Sequence, residues 1–269
     1  MIDPATNLPA GTTVILRALV GSTVHGTNVT DQGDRDEMAI AVEPRRYVIG
    51  LRHWETTVTR TAAEGQKSGP GDLDLHTHSL RKFCRLAAKG NPTILLPLFV
   101  PDSAIVTINE LGRELMAQRS MFLSRACGKS FLGYMQAQKA RLANEQGGRH
   151  GSRPDLVAQY GFDVKYAGHI IRLGYQGLEL MTTGHVSLPM QPEHREDVLA
   201  VRTGKWTLER VLSRAGELER ELRDSLDTSP LPAGPDEEAI NDFLSEAYCR
   251  AWGILWHRLS PSDVERAHP

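Results

Sequence analysis

The stretch VILRALVGSTVHGTNVTDQGDRDEMAIAVEP, residues 14–44, carries the reading of this chain. Residues 13–20, TVILRALV, form an apolar run that predicts a buried strand and ends in Gly21-Ser22. A polar loop, Thr23–Gly33, follows and holds a second glycine, Gly26. Asp34 and Asp36 then stand two apart at the start of a second apolar run, Met38–Val42, which Pro44 ends. Residues two apart on a strand point to the same face. The pattern predicts two carboxylates side by side, facing a glycine-serine turn. Such an arrangement suits Mg²⁺ held against a phosphate chain, with hard oxygen ligands on one side and backbone N–H groups on the other. A hairpin with solvated aspartates would show the same pattern.

Further along, DLDLHTHSL, residues 72–80, alternates strictly. Leu73, Leu75 and Thr77 fall on one face, and Asp72, Asp74, His76 and His78 on the other. This predicts a strand with an unusually polar face, either solvated or metal-binding. Its two histidines also fit zinc. Ser79 is a candidate N-cap for the helix LRKFCRLAAKG, with Gly90 at its end. Thr93–Val100 reads as a short helix under the sheet. The expected fold class is α+β: a small mixed sheet with flanking helices over 1–104, then an all-helical domain over 105–269, with a cleft between them.

The helical half is expected to begin with Glu110–Asn144, two helices meeting near Cys127–Lys129. A Gly/Arg/His loop occupies 146–155, and a helix covers 164–182 with Asp163 as N-cap. Pro189–Glu196 reads as a connector, and one or two helices between Leu199 and Asp227 break near Gly204. After a Pro-rich linker, a last helix, Ala239–Leu259, carries Phe243, Tyr248, Trp252 and Trp256, expected to be the core seam of the helical domain.

On the 164–182 helix, Lys165, His169, Arg172, Gln176 and Glu179 recur at steps of three and four and share one stripe. A polar stripe commonly faces solvent. Here the cations sit in the N-terminal half, where the helix dipole disfavours them. An anion such as a triphosphate docked against them resolves that conflict.

The 269 residues are 40% hydrophobic and 24% charged, a globular composition with a formal charge of −2. That balance gives no bulk attraction to nucleic acid or membrane. Locally, Arg113–Arg153 has eight Lys/Arg against two Glu, whereas from Thr207 onward seven Arg face thirteen acids. The basic middle is a candidate contact for a polyanion. Cys84, Cys127 and Cys249 are widely spaced and fit a reducing cytoplasm rather than a disulfide framework. No signal peptide is read at the N-terminus, and no run is long enough for a membrane span. The oligomeric state is left open.

Three segments read together resemble the polymerase-β-type nucleotidyltransferase superfamily, and within it the RNA-ligase-associated, RlaP-type branch. They are GS-x₃-G…DxD, the polar strand leading into SLRKFCRLAAKGNPTILLPLF, and GFDVKYAGHIIRLGYQGLEL…VLAVRTGKWTLERVL. The resemblance runs from residue 14 to 212 and takes in FLGYMQAQ, 131–138. It implies that Gly21 and Ser22 hold the triphosphate of an NTP, and that Asp34 and Asp36 bind metal. It implies a third carboxylate on the 72–78 strand, Asp74, with Asp72 in reserve. Lys165, His169 and Arg172 match helical positions that contact phosphate or nucleotide. The implied activity is Mg²⁺- (or Mn²⁺-) dependent transfer of an NMP from an NTP to an acceptor hydroxyl, with an RNA, tRNA-like 3′ end favoured. Two departures bear on the substrate: a slightly longer loop between Gly26 and Asp34, and no acid near Leu96, where relatives often carry one.

Other readings are a non-catalytic nucleotide-binding regulator or antitoxin-like module on the same fold, and NMP transfer to a protein or small molecule. A metal-dependent phosphohydrolase built on Asp72, Asp74, His76 and His78 would leave the glycine-serine turn unexplained.

Overall fold

The structure is a computed structural model and describes residues 2–3, 7–29, 35–62, 69, 71–145 and 153–254. Asp34, residues 146–152 and Trp256 lie outside the described residues. A short ribbon, β1 (Ile2–Asp3) with β2 (Leu8–Pro9), precedes a five-stranded sheet. The sheet is built from β3 (Thr13–Leu19), β4 (Arg35–Val42), β5 (Thr56–Arg60), β6 (Leu73–Ser79) and β7 (Ile105–Ile108), in the order β5-β6-β4-β3-β7. Only β4 and β6 run parallel. The chain between them is long enough to cross over, as a parallel pair requires.

The helices are α1 (Gly21–His25), α2 (Arg45–Val48), α3 (Leu80–Ala88), α4 (Pro92–Leu95), α5 (Glu110–Ala117), α6 (Arg125–Glu145), α7 (Pro154–Tyr160), α8 (Val164–Thr183), α9 (Pro192–Arg202), α10 (Leu208–Thr228) and α11 (Glu237–Ala251). No helix among the described residues is long and apolar enough to cross a membrane.

Strand β4 is buried from Glu37 to Val42, on both faces, as befits a central strand. Its one buried acid, Glu37, is met by Arg17 and Arg35. Strand β6 passes straight into α3, where the Ser79 side chain accepts from Lys82 N at 3.2 Å, as a cap should. The Asp163 side chain caps α8 by accepting from the amides of Lys165 and Tyr166. Helices α6, α8 and α10 pack together, with α9 across α8. The result is the expected mixed α+β fold with its C-terminal part helical.

Several local expectations change. The glycine-serine turn opens the short helix α1, which burial of Val24 and His25 holds in place. Strand β5, TTVTR, has no apolar face to betray it in sequence, because it is an exposed edge. The long stretch after residue 110 breaks at 118–124, ahead of Cys127, through a 3-10 turn at Arg119–Phe122. The connector expected at Pro189–Glu196 runs into α9, with Pro192 at the first helical position, where its missing N–H costs nothing.

Two elements cross the line expected at residue 104. Strand β7 pairs with β3 and completes the sheet from the far side of it. Helix α11 returns to the sheet rather than seaming the helical half. The Tyr248 hydroxyl donates to buried Glu43 Oε2 at 2.6 Å, and Trp252 Nε1 donates to the Glu43 carbonyl at 2.9 Å. A buried carboxylate at the end of a central strand needs such donors.

Candidate active site

Register places the first pair of groups. In the parallel β4–β6 ladder Asp36 stands opposite Asp74, so both carboxylates leave the same face of the sheet. Asp74 Oδ2 accepts from Arg60 Nε at 3.1 Å. Its Oδ1 is buried, makes no hydrogen bond among the described residues, and faces His76 Nε2 at 3.1 Å. Asp72 does not join them: its carboxylate accepts from Thr61 Oγ1 at 2.9 Å and from Gly69 N at 2.8 Å.

Gly21 lies against Asp36. Its φ is +70°, and a Cβ at this position would overlap the Asp36 carboxylate. Only glycine lets the backbone come so close in that conformation. Among the described residues no side chain caps the start of α1.

A cavity of about 240 Å³ opens beyond Gly21 and Ser22. Lys165 and Arg172 of α8 and Arg202 of α9 line it, with Asp36 its single carboxylate among the described residues. Arg172 is held by neutral groups. It donates through Nη1 to His25 Nε2 and to Gln176 Oε1, both at 2.8 Å, and through Nη2 to His169 Nε2 at 3.1 Å. Gln176 Nε2 also reaches His25 Nδ1 at 3.2 Å. Burial, then Arg172, pushes the His169 pKa down to about 3, and burial with the same cation holds His25 well below the usual imidazole value. Burial and Arg202 lower Arg172 to about 10. A desolvated cation beside other cations and neutral acceptors is costly unless an anion joins it. Arg202 donates to the Thr27 carbonyl at 2.6 Å, and a Cβ on Gly168 would sit 2.7 Å from its stem.

On the other side of Asp36 a second cavity, of about 350 Å³, is lined by Asp74, His76, His78, Asn91 and Tyr134. Gly21, Asp36 and Thr93 line both cavities. His78 turns inward: Thr56 Oγ1 lies 3.0 Å from its Nδ1, and burial followed by Lys82 lowers its pKa to about 4. With Asp72 held in its turn and His78 bound to Thr56, the four polar residues of the 72–78 strand do not converge as ligands.

The structure thus gathers Gly21, Ser22, Asp36, Lys165, His169 and Arg172 around one cavity, with Asp74 beside Asp36 on the other side. Asp34 falls outside the described residues. Among those residues no cluster of three or more His, Cys, Asp or Glu forms a metal site. The Asp36 and Asp74 carboxylates nevertheless stand opposite each other on adjacent strands as hard oxygen donors, which fits a divalent cation such as Mg²⁺. Sequence reading missed His25 and Arg202. His25 sits in the quoted stretch and Arg202 in the AVRTGKW segment, but their convergence on α8 is a matter of folding alone.

An uncharacterized 38.9 kDa protein in the nrdC-mobD intergenic region of Enterobacteria phage T4 is 28% identical over 129 residues, 47% of this chain. The match spans 38% of that protein's length. A solved nucleotidyltransferase-like protein from Exiguobacterium sibiricum 255-15 aligns over 87% of this chain and 73% of its own, at 14% identity and a TM-score of 0.30, a likeness that carries no argument about the site. The match that decides the family covers residues 6–246, and by it the chain belongs to RlaP, the RNA repair pathway DNA polymerase beta family.

Proposed function

We propose that the chain moves an NMP from an NTP to an acceptor hydroxyl at an RNA, tRNA-like 3′ end, releases pyrophosphate and uses Mg²⁺ (or Mn²⁺). The position of Asp36 carries this reading. It stands where a cation-lined cavity meets a second cavity that holds Asp74. A triphosphate in the first and an acceptor hydroxyl in the second would meet at that carboxylate.

Asp34, Asp36 and Asp74 are the residues that would hold the metal. When bound, the metal supplies charge neutralisation at the leaving pyrophosphate and a lowered proton affinity at the attacking hydroxyl. The chain's own residues position the reactants. Lys165, Arg172 and Arg202 draw the triphosphate into the first cavity, and Ser22 meets it beside Gly21. Arg172, braced by His25, His169 and Gln176, presents a fixed fork to phosphate oxygens. Asp74 orients the acceptor hydroxyl and takes or relays its proton as that oxygen bonds to the α-phosphorus and the α–β phosphoanhydride bond breaks, so that pyrophosphate leaves. Positioning and electrostatic preorganisation are the main contributions a protein makes to such a transfer.

The test is incubation with each α-labelled NTP, Mg²⁺ or Mn²⁺ and total RNA, followed by separation of RNA, protein and small molecules. Label should enter RNA, and an Asp36→Asn change should abolish it. Label in protein or in a small molecule would replace the acceptor. NTP binding with no pyrophosphate release for any acceptor would favour a regulator on the same fold.

A further inference from the structure

A cavity of about 640 Å³ lies between α3, α6 and α11, away from Asp36. Ile240 and Leu244 give it an apolar wall, and Arg81, Arg85, Lys89 and Lys129 stand around it with Glu237. Arg85 is engaged by Glu55 at 2.6 Å. Among the described residues Arg81, Lys89 and Lys129 form no ion pair with any carboxylate. Elsewhere in the basic 113–153 stretch Lys139 pairs with Glu219 and Arg153 with Asp163, whereas Lys129 lines this cavity.

The cavity borders the Asp74 side of the active site. Ser130 lines the one and Tyr134 the other, four residues apart on α6 and so about 6 Å along the same face. Ser130 Oγ donates to the Lys89 carbonyl at 2.5 Å, and Asn91 Nδ2 to Tyr134 Oη at 2.6 Å, so α6 and the end of α3 form a single continuous wall. Tyr134 is exposed at the junction.

We propose that this groove is the track for the single-stranded RNA segment leading to the acceptor end. Tyr134 stacks a base where the strand leaves the Asp74 cavity. Lys89 and Lys129 take the phosphates that follow, and the apolar wall accepts a splayed base. Point charges with an aromatic platform are how single strands are held without sequence reading. A duplex, read across its minor groove, has no base to place in such a hollow. The inference rests on the proposal that the acceptor is RNA.

Fluorescence anisotropy of a labelled single-stranded RNA of about ten nucleotides, with the full chain and no NTP, tests it. The Lys89→Glu/Lys129→Glu variant should bind about tenfold more weakly or worse at low salt, with a shallower dependence on salt. Tyr134→Ala should lose about fivefold or more. Both sites are on the surface, and an unchanged melting temperature excludes unfolding. Unaltered affinity and salt slope in the lysine variant, equal affinity for a blunt duplex, or no RNA binding by the parent chain would each overturn the groove. RNA binding that depends on the lysines, with no NMP transfer to any acceptor, would instead sink the catalytic reading and leave the groove standing.

Discussion

Arg172 Nη1 donates to His25 Nε2 across 2.8 Å, and that bond ties α8 to the short helix that begins at Gly21. The imidazole can accept only while neutral. Burial, with the cations around it, keeps it so. The bond therefore sets where the guanidinium points.

Arg172→Lys should fail as a replacement, because an ammonium cannot reach His25, Gln176 and His169 together. We expect the KM for NTP to rise about tenfold or more, seen in steady-state kinetics. His25→Phe should raise KM with a smaller change in kcat, since His25 acts through Arg172.

Gly21→Ala tests the contact with Asp36. The new methyl group would overlap the carboxylate, and φ at this residue is +70°. Transfer activity should fall about 100-fold, while stability drops by only about 1–2 kcal/mol. Turnover and thermal melting on the same preparation separate the two effects.

The two acids of the 72–78 segment should part company. Asp74→Asn should abolish transfer, because Asp74 lies beside Asp36. Asp72→Asn should retain it, because Asp72 is occupied by Thr61 and Gly69. Equal losses in a transfer assay would show that the ladder register misplaces the third carboxylate.

Stability should decline in mild acid. The pKa values of His25, His78 (about 4) and His169 (about 3) are all depressed below the ordinary value of 6.5. Below that value the unfolded chain takes up protons that the folded chain refuses. The folded state therefore keeps its full stability above pH about 6.5 and loses it as pH falls toward the folded pKa values, at up to about 1.4 kcal/mol per pH unit for each buried imidazole. Urea titrations at pH about 7, 6 and 5 should show a falling midpoint. Saturating NTP with Mg²⁺ should raise the midpoint at neutral pH by binding the folded form alone.

Tyr248→Phe removes the hydroxyl that meets Glu43 and leaves a buried carboxylate oxygen short of a donor. The expected cost is about 1.5–3 kcal/mol by urea denaturation, with activity per folded molecule little changed. The result would confirm that the last helix serves the sheet.

Much of the site was legible because its signals are local. The apolar run of 13–20, the placing of Asp36 on the strand that follows it and the strict alternation of 72–78 each follow from the two-residue period of a strand. Likewise Asp163 and Ser79 announce helix starts through their own backbone contacts. The helical stripe of Lys165, His169 and Arg172 follows from the 3.6-residue period. Strand β5 was not legible, since an edge strand buries too little to impose a pattern.

From the residues alone one reads which carboxylates and cations are candidates for a metal and a phosphate, and on which kind of element most of them sit. The sequence left Asp72 and Asp74 on one face, and left His25 and Arg202 unremarked. The tertiary structure chose among them: the β4–β6 register sets Asp74 rather than Asp72 beside Asp36, and the packing of α8 and α9 against α1 surrounds Arg172 with neutral acceptors. The difference is one of range. Periodicity and capping are set by neighbours a few residues away. Desolvation and charge at the cavity depend on groups such as His25 and Arg172, 147 residues apart, or Thr27 and Arg202, 175 apart, that only the finished core brings together.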